Sequence, residues 1–187
     1  MKLSPGQIAP QFKAMSYDGK SVSSADYVGK KLWLAFFRYA ACPLCNQRIH
    51  EIIQRHREFE RLGIELIAVF QSPPERIGEY VAKQAPSFPL IADPDMKLYA
   101  EYGVVQRLMG MFYPRVSRVF KRAKRNGFKT GPSDGPVATV PADFLIDPEG
   151  LLWSTYYGSA ISDHIPFETV QAFAADDCLE MPARAVS

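Results

Sequence analysis

The sequence predicts a single α/β domain in which helices flank a mixed sheet. Two nearly continuous apolar runs, residues 31–37 and 64–70, have the composition of strands buried on both faces. A helical pattern separates them, and this order is typical of parallel strands joined by a crossover helix. Later in the chain, residues 143–146 and 151–156 flank the turn sequence Asp-Pro-Glu-Gly at 147–150, which predicts an antiparallel hairpin. Parallel and antiparallel pairs together make the sheet mixed.

Shorter signals place the remaining elements around that sheet. The first thirty residues predict a small hairpin, with residues 8–12 and 21–22 on either side of an Asp-Gly turn. Helical spacing of apolar residues follows Cys45, and Gly63 is suited to end that helix. The other predicted elements are a helix at 74–82, a strand at 88–91, a short helix at 95–102 and a last helix at 166–175.

Length and composition agree with one globular domain. The chain has 187 residues, of which 47% are hydrophobic and 22% charged, so we expect one domain over 1–187 with an insertion at about 105–139. No apolar run approaches the length of a membrane span, which needs about 20 residues. The N-terminus lacks the apolar core of a secretory signal, so the expected location is the cytoplasm.

A basic segment occupies the predicted insertion. Residues 102–133 contain no acidic residue and eight cations. Apolar residues at helical spacing predict an amphipathic helix within 109–129 that carries the cations on its other face: Met109, Phe112, Tyr113, Val116, Val119 and Phe120. We favour a solvated inserted helix, with a partner or homodimer contact as the alternative. Nucleic acid or a membrane surface is disfavoured, because the aromatic residues lie on the apolar side.

Cys42-Pro43-Leu44-Cys45 lies where the first buried strand runs into a helix. Near the first helical turn, Cys42 meets unpaired backbone N–H groups and the positive end of the helix, which favour the thiolate. Cys45, one turn later, is within disulfide reach and can resolve a mixed disulfide formed at Cys42. Pro43 suits the first helical position, where its missing N–H is not needed. We therefore expect Cys42 to be the more acidic and more exposed thiol.

Other interpretations of the cysteines are weaker. Half a zinc site would need two further ligands, but His50 and His56 are six residues apart and cannot both face one metal with the cysteines, so no metal is expected. His56, on the apolar face, is better explained as a hydrogen-bonded core histidine. Two inert buried cysteines are a second alternative. Cys178 is a third candidate thiol, although a resolving role there would duplicate that of Cys45.

Several short motifs follow one another in a recognisable order, at 3–12, 18–20, 29–31, 36–37, 88–94, 102–104 and 144–150. Together they cover roughly residues 3–157 and resemble the AhpC/TSA family of peroxiredoxins, in particular its branch with C-x-x-C at the reactive position. This resemblance implies a thioredoxin-like fold and thiol-based redox activity with no cofactor.

The chain departs from the family pattern around its cysteines. The P-x-x-x-T-x-x-C pattern of peroxiredoxins has Ala35 and Tyr39 at its proline and threonine positions, and the activating arginine is replaced by Pro141. Pro141 instead matches the cis-proline that faces C-x-x-C in thioredoxins, so we expect a cis Val140–Pro141 bond against the cysteine pair. Arg38 can supply the missing cation or point to solvent. Tyr39 can donate a hydrogen bond to the thiolate or simply pack.

The sequence thus predicts an antioxidant thiol oxidoreductase that reduces peroxides through a Cys42/Cys45 dithiol–disulfide cycle. An external thiol reductant, such as thioredoxin or glutathione, would recycle the enzyme. One alternative is a thioredoxin-like protein-disulfide reductase, which Pro141 favours. The other is a non-catalytic redox sensor or binding module, in which the pair oxidises once and the basic helix contacts a partner.

Overall fold

The computed structural model of the chain describes residues 1–105 and 114–176. Within these ranges, a central sheet has the strand order β5-β4-β3-β6-β7. Its strands are β3 (Lys31–Phe36), β4 (Ile64–Phe70), β5 (Leu90–Ala92), β6 (Ala142–Ile146) and β7 (Leu152–Tyr157). Strands β3, β4 and β5 are parallel, whereas β6 pairs antiparallel with β3 and with β7. The predicted mixed sheet is confirmed.

Helices cover both faces of this sheet. They are α1 (Pro43–Arg61), α2 (Pro74–Tyr80), α3 (Lys97–Glu101), α4 (Pro114–Arg125) and α5 (Phe167–Ala175). Alternate residues of the central strand β3 serve the two cores, because successive side chains of a strand point to opposite faces. Trp33, Ala35 and Phe37 pack with α1, α2 and α5, whereas Leu32, Leu34 and Phe36 pack with α3 and the N-terminal segment. Among the described residues, no helix is long and apolar enough to cross a membrane.

The N-terminal hairpin forms later in the chain than the sequence predicts. Its strands are β1 (Lys13–Met15) and β2 (Ser21–Ser23), joined by a turn in which Gly19 has a φ of +81°. The predicted strand at 8–12 is wrong: Ile8 makes only an isolated bridge to Leu151. Pro10 explains this, because a proline in the run removes a backbone donor that a paired strand needs.

Helix α4, which belongs to the basic segment, lies on α1. Asn126, just beyond α4, donates to Gln47 Oε1 at 2.8 Å, and Arg122 forms an ion pair with Glu51 at 3.0 Å. Val116 and Val119 pack against the core as predicted, but Phe120 is 44% exposed. The predicted helix residues Met109, Phe112 and Tyr113, like Cys178, lie outside the described residues.

Candidate active site

The end of β3 and the start of α1 place the cysteine pair at the carboxyl edge of the parallel strands. In α/β sheets this edge is where ligands bind, since the loops after the strands converge there. Cys42 is the N-cap of α1, with extended backbone (φ −75°, ψ 120°), and Pro43 takes the first helical position as predicted. The N–H of Asn46 donates to the Cys42 carbonyl at 3.0 Å, which closes the first turn and brings Cys45 beside Cys42.

Both thiols are free and buried. Cys42 is 1% exposed and Cys45 is 2% exposed. The prediction that Cys42 is the more exposed thiol is therefore wrong. The reason is tertiary: the segment at 131–137 crosses over the start of α1 and closes the site.

Arg38 points inward, onto the reactive sulfur. Its Nη1 donates to Cys42 Sγ at 3.2 Å, its Nη2 donates to the Val137 carbonyl, and its backbone N–H donates to Cys45 Sγ at 3.4 Å. The side chain is 3% exposed, and Nε has no partner among the described residues. A buried guanidinium needs compensating charge, which a Cys42 thiolate supplies. Arg38 therefore places a cation beside Cys42, in a chain that has Pro141 where the family pattern has its arginine.

These contacts make Cys42 the acidic thiol. Burial alone would raise the pKa of Cys42, but hydrogen bonding from the Cys45 thiol, the Arg38 charge and the N–H groups of Leu44 and Cys45 together lower it to about 6. The Cys42 side chain makes no capping hydrogen bond of standard geometry. The first-turn amides nevertheless act on the sulfur as expected at the positive end of a helix.

Cys45 has the opposite environment. Burial raises the pKa of Cys45 well above its usual value, and its hydrogen bond to Cys42 and the negative charge of that sulfur raise it further. At neutral pH the pair therefore holds one thiolate, at Cys42, and one thiol, at Cys45. This division is suited to a nucleophile and a resolving thiol.

Tyr39 supports the site by packing. Its ring lies under the Arg38 guanidinium, with the central carbon 5.2 Å from the ring centroid, a cation–π distance. Burial and the Cys42 charge raise the pKa of the phenol. Among the hydrogen bonds of the described residues, none joins the Tyr39 hydroxyl to a sulfur; the Tyr39 carbonyl instead accepts from the Cys42 N–H at 3.1 Å. Packing, not hydrogen bonding to the thiolate, is the observed arrangement.

Pro141 occupies a related position without the expected geometry. It directly precedes β6 and is buried at the same sheet edge as Arg38, because Ala142 pairs with Phe36. No peptide bond is cis in the described chain, so the predicted cis Val140–Pro141 bond is wrong. The Pro141 carbonyl accepts from the Gly158 N–H at 2.9 Å, a contact within the edge of the sheet.

The segment at 131–137, the covering loop, is held over the cysteines by polar contacts. The Gly131 N–H donates to the Ala41 carbonyl at 3.2 Å, and Gln71 donates to the Pro136 carbonyl at 2.9 Å. Ser72 accepts from the Ala40 N–H at 2.7 Å and donates to Asp134 at 2.7 Å.

The close approach of this loop depends on glycine. A Cβ at Gly131 would lie 2.7 Å from the Ala41 Cβ and from the Tyr80 hydroxyl. Such distances are too short for any side chain, so only glycine lets the loop backbone come this near to the cysteine segment.

Sequence reasoning missed Gln71, Ser72 and Asp134. For Gln71 and Ser72 a signal existed, since they directly follow β4, the parallel neighbour of β3, and polar residues at that edge converge on one site. Asp134 lies in a Gly/Pro/Ser-rich loop, where no sequence pattern indicates its partner.

A second buried polar cluster, which the sequence did not predict, is centred on Asp143 of β6, the strand that pairs with β3. Asp143 on β6 accepts from Trp33 Nε1 at 3.0 Å and from the Ile165 N–H at 2.9 Å, and its carboxylate is 3.0 Å from His164 Nδ1. The His164 ring also packs on Phe37 at 4.6 Å, one residue before Arg38. No sequence pattern connected His164 with the site.

The predicted role of His56 as a hydrogen-bonded core histidine is confirmed. His56 is buried, with Nδ1 2.9 Å from the Ser87 hydroxyl and its ring against Phe88. His50 is partly exposed and contacts Gln54 at 3.0 Å. No group of three or more His, Cys, Asp or Glu side chains converges as metal ligands in the parts of the chain that the structure describes.

A mixed sheet with helices on both faces, and a C-x-x-C pair at the strand-to-helix junction, define the class of thioredoxin-fold thiol proteins. Within that class the model of the AhpC/TSA family matches residues 5–154. The chain belongs to the AhpC/TSA family.

Individual relatives agree with this assignment. A protein named as a peroxiredoxin in Mycobacterium tuberculosis strain H37Rv is 29% identical over 102 residues, which are 54% of this chain and 65% of that protein. The chain thus matches slightly less than two thirds of the length of that relative.

Solved structures agree on the fold. A cysteine-to-serine mutant of PrxQ from Xylella fastidiosa superposes with a TM-score of 0.70 at 16% identity, covering 94% of this chain and 98% of that one. The Xanthomonas campestris bacterioferritin comigratory protein, whose structure was described for alkyl peroxide reduction, gives a TM-score of 0.60 at 16% identity, covering 88% of each chain.

Proposed function

We propose that this protein is a thiol-dependent peroxide reductase that works through a Cys42/Cys45 dithiol–disulfide cycle. The observation that carries the proposal is the buried Arg38 guanidinium, 3.2 Å from Cys42 Sγ, beside a helix N-terminus. Together with the Cys45 thiol, these groups lower the pKa of Cys42 below neutrality, so that the nucleophile is ready before substrate arrives. Relatives named as peroxiredoxins support the same chemistry.

In the first step, the Cys42 thiolate attacks one oxygen of the peroxide ROOH. An S–O bond forms, the O–O bond breaks, and the leaving alkoxide takes up a proton as the alcohol ROH. Cys42 becomes a sulfenic acid, oxidised by two electrons. Arg38 Nε, which is buried and has no partner in the described part of the chain, is available to donate to a peroxide oxygen and to stabilise the charge that develops on it.

In the second step, the Cys45 sulfur attacks the sulfenic sulfur of Cys42. A disulfide forms and water leaves, carrying the thiol proton of Cys45 and the sulfenic oxygen. One helical turn separates the two residues, so the step is intramolecular and needs no large movement. An external dithiol then returns two electrons and two protons to the pair.

Steady-state consumption of hydrogen peroxide with dithiothreitol as reductant tests the proposal. Cys42→Ser should abolish turnover. Cys45→Ser should react once and hold a sulfenic acid that mass spectrometry detects, because the resolving thiol is gone. Full activity of Cys42→Ser would contradict the mechanism, and no turnover by the wild type would contradict the function.

A protein-disulfide reductase using the same cysteines is the second candidate. The C-x-x-C pair at a helix start suits either substrate, but the covering loop buries both sulfurs and favours a small substrate such as a peroxide. A non-catalytic sensor would instead oxidise once without recycling, so sustained turnover separates it from both enzymes. For the enzyme we propose a cytoplasmic setting, with thioredoxin, glutathione or a similar thiol as reductant.

A further inference from the structure

Four cations on α4 form an exposed surface, which we call the basic face: Arg118, Lys121, Lys124 and Arg125. They border a shallow depression, and none of them forms an ion pair with another described residue. The helix repeats every 3.6 residues, so this face lies opposite to Ala123, which is fully buried. Arg122, at the edge of the face, is neutralised by Glu51. The basic face therefore presents uncompensated positive charge.

The end of the basic face at Lys124 and Arg125 is the end nearest to the dithiol, because α4 runs antiparallel to α1, with Arg122 at Glu51 and Asn126 at Gln47. Helix α4 is anchored on the N-terminal half of α1 through Asn126 and Gln47, only five residues after Cys42. The chain that leaves α4 continues directly into the covering loop, whose Val137 carbonyl accepts from Arg38. A molecule bound to the basic face would therefore sit beside the loop through which the cysteine pair must be reached.

We propose that the basic face docks an acidic protein dithiol, the reductant that recycles the Cys42–Cys45 disulfide. This rests on the proposed function and deepens it. Opposite charges on two proteins accelerate encounter and fix their orientation. The recycling step needs such a partner: its thiolate attacks one sulfur of the disulfide, forming a mixed disulfide and releasing the other cysteine. The second thiol of the partner then attacks the mixed disulfide, which leaves the pair reduced and the partner oxidised.

Exposed apolar residues favour a protein over a polyanion. Val137, whose backbone carbonyl accepts from Arg38, is 45% exposed, and Phe120, beside the basic face, is 44% exposed. A protein partner can cover both with apolar contacts, as at the centre of protein interfaces. A phosphate backbone would pair with the cations but gain nothing from the exposed apolar side chains of Val137 and Phe120.

The experiment compares two reductants in the peroxide assay, dithiothreitol and an acidic thioredoxin. The variant Arg118→Glu/Lys121→Glu/Arg125→Glu should raise the KM for thioredoxin about tenfold or more and flatten its dependence on ionic strength. The matched control Lys13→Glu/Lys20→Glu/Lys97→Glu changes the net charge equally at exposed positions on β1, its turn and α3, and should leave that KM within about twofold. A thioredoxin with its acidic residues near the cysteines reversed should recover affinity for the α4 variant.

The outcomes separate the docking surface from the function. If wild type and both variants turn over with dithiothreitol and the α4 variant keeps an unchanged KM for thioredoxin, the docking surface is wrong but the proposed function stands. No turnover with either reductant would overturn the function itself. An equal rise of KM in both variants would show a nonspecific effect of net charge and would also overturn the site.

Other occupants are tested directly with the same variants. Binding of a DNA duplex and of phosphatidylglycerol vesicles is measured for the wild type and both variants. If the wild type binds either one, only the α4 variant loses that binding, and the KM of that variant for thioredoxin is unchanged, the surface binds a polyanion or a membrane. A dimer in sedimentation that only the α4 variant disrupts, again with unchanged KM, would assign it to a second copy of the chain. Each of these results would overturn the proposal.

Discussion

Two buried polar clusters lie on neighbouring strands of this protein, and they differ in how completely their groups are paired. Around Asp143, both carboxylate oxygens accept hydrogen bonds, from Trp33, from the Ile165 N–H and at His164. Around Cys42, one guanidinium nitrogen of Arg38 donates to a sulfur and another to a loop carbonyl, whereas its Nε has no hydrogen-bond partner within residues 1–105 and 114–176.

We interpret this difference in pairing as the difference between a structural cluster and the proposed reactive one. A fully satisfied buried network stabilises a single arrangement, because any change leaves a polar group unpaired. An unpaired donor beside a thiolate costs stability in the resting protein, but it can be satisfied by a substrate oxygen. We expect mutations in the Asp143 cluster to lower the free energy of unfolding, and mutations in the Cys42 cluster to lower the activity.

The largest expected effect is on folding, at the satisfied cluster. Asp143→Ala removes the acceptor of three groups and should lower the free energy of unfolding by about 3–5 kcal/mol, as when one partner of a buried polar pair is removed. Denaturant unfolding of the reduced protein measures this, with Asp143→Asn as the milder matched variant. If Asp143→Ala left the free energy of unfolding nearly unchanged, or shifted the pKa of Cys42, the two clusters would not have the separate roles in folding and in chemistry that we assign to them.

Arg38→Met should affect chemistry more than folding. Loss of the guanidinium removes charge from the thiolate and from the peroxide, and activity at neutral pH should fall by about 10²–10³-fold. The pKa of Cys42, followed by iodoacetamide alkylation against pH, should rise toward its usual value. Arg38→Lys keeps the charge, so it should retain part of the activity and part of the lowering of the Cys42 pKa. An unchanged alkylation profile in Arg38→Met would show that the helix and Cys45 alone acidify Cys42.

The acidity of Cys42 should also appear in stability against pH. Its pKa is lowered in the folded state to about 6 from about 9, so the unfolded chain holds one more proton between these values. The free energy of unfolding of the reduced protein should therefore rise with pH across this window, by at most about 1.4 kcal/mol per pH unit, and this stabilisation is lost as pH falls through 6.

Cys42→Ser is the control for this dependence. The variant should show a markedly flatter profile over the same window, because it lacks the titrating sulfur. An equal slope in the two proteins would assign the pH dependence to other groups.

The smallest expected effect concerns the covering loop. Asp134→Ala removes the acceptor of the Ser72 hydroxyl and should favour opening by about 1 kcal/mol, so alkylation of Cys42 by a bulky maleimide should be about fivefold faster. Its KM for hydrogen peroxide should change less, since a small substrate needs less opening. Asp95→Ala, on the opposite side of the sheet, is the control. An unchanged alkylation rate in Asp134→Ala would mean that this contact does not hold the loop.

Much of this architecture follows from the sequence alone. The apolar runs that became β3 and β4, the hairpin of β6 and β7, and the C-x-x-C pair at a helix start are all local patterns, because burial and helix capping act over a few residues. The same locality explains why Pro43 at the first helical position could be predicted. It also explains the failure at residues 8–12, where pairing depended on a backbone donor that Pro10 lacks.

Only the tertiary structure decided the environment of the thiols. The inward orientation of Arg38, the burial of Cys42 beneath residues 131–137, and the contact between Ser72 and Asp134 join segments far apart in the chain. From the sequence, the Arg38 side chain can point either to solvent or to the Cys42 sulfur. In the structure it points to the sulfur, where the Val137 carbonyl from a distant part of the chain accepts its second hydrogen bond. The sequence by itself therefore indicated which two sulfur atoms are the candidates for reaction, whereas long-range packing decided the charge and the access that favour Cys42 as the proposed nucleophile.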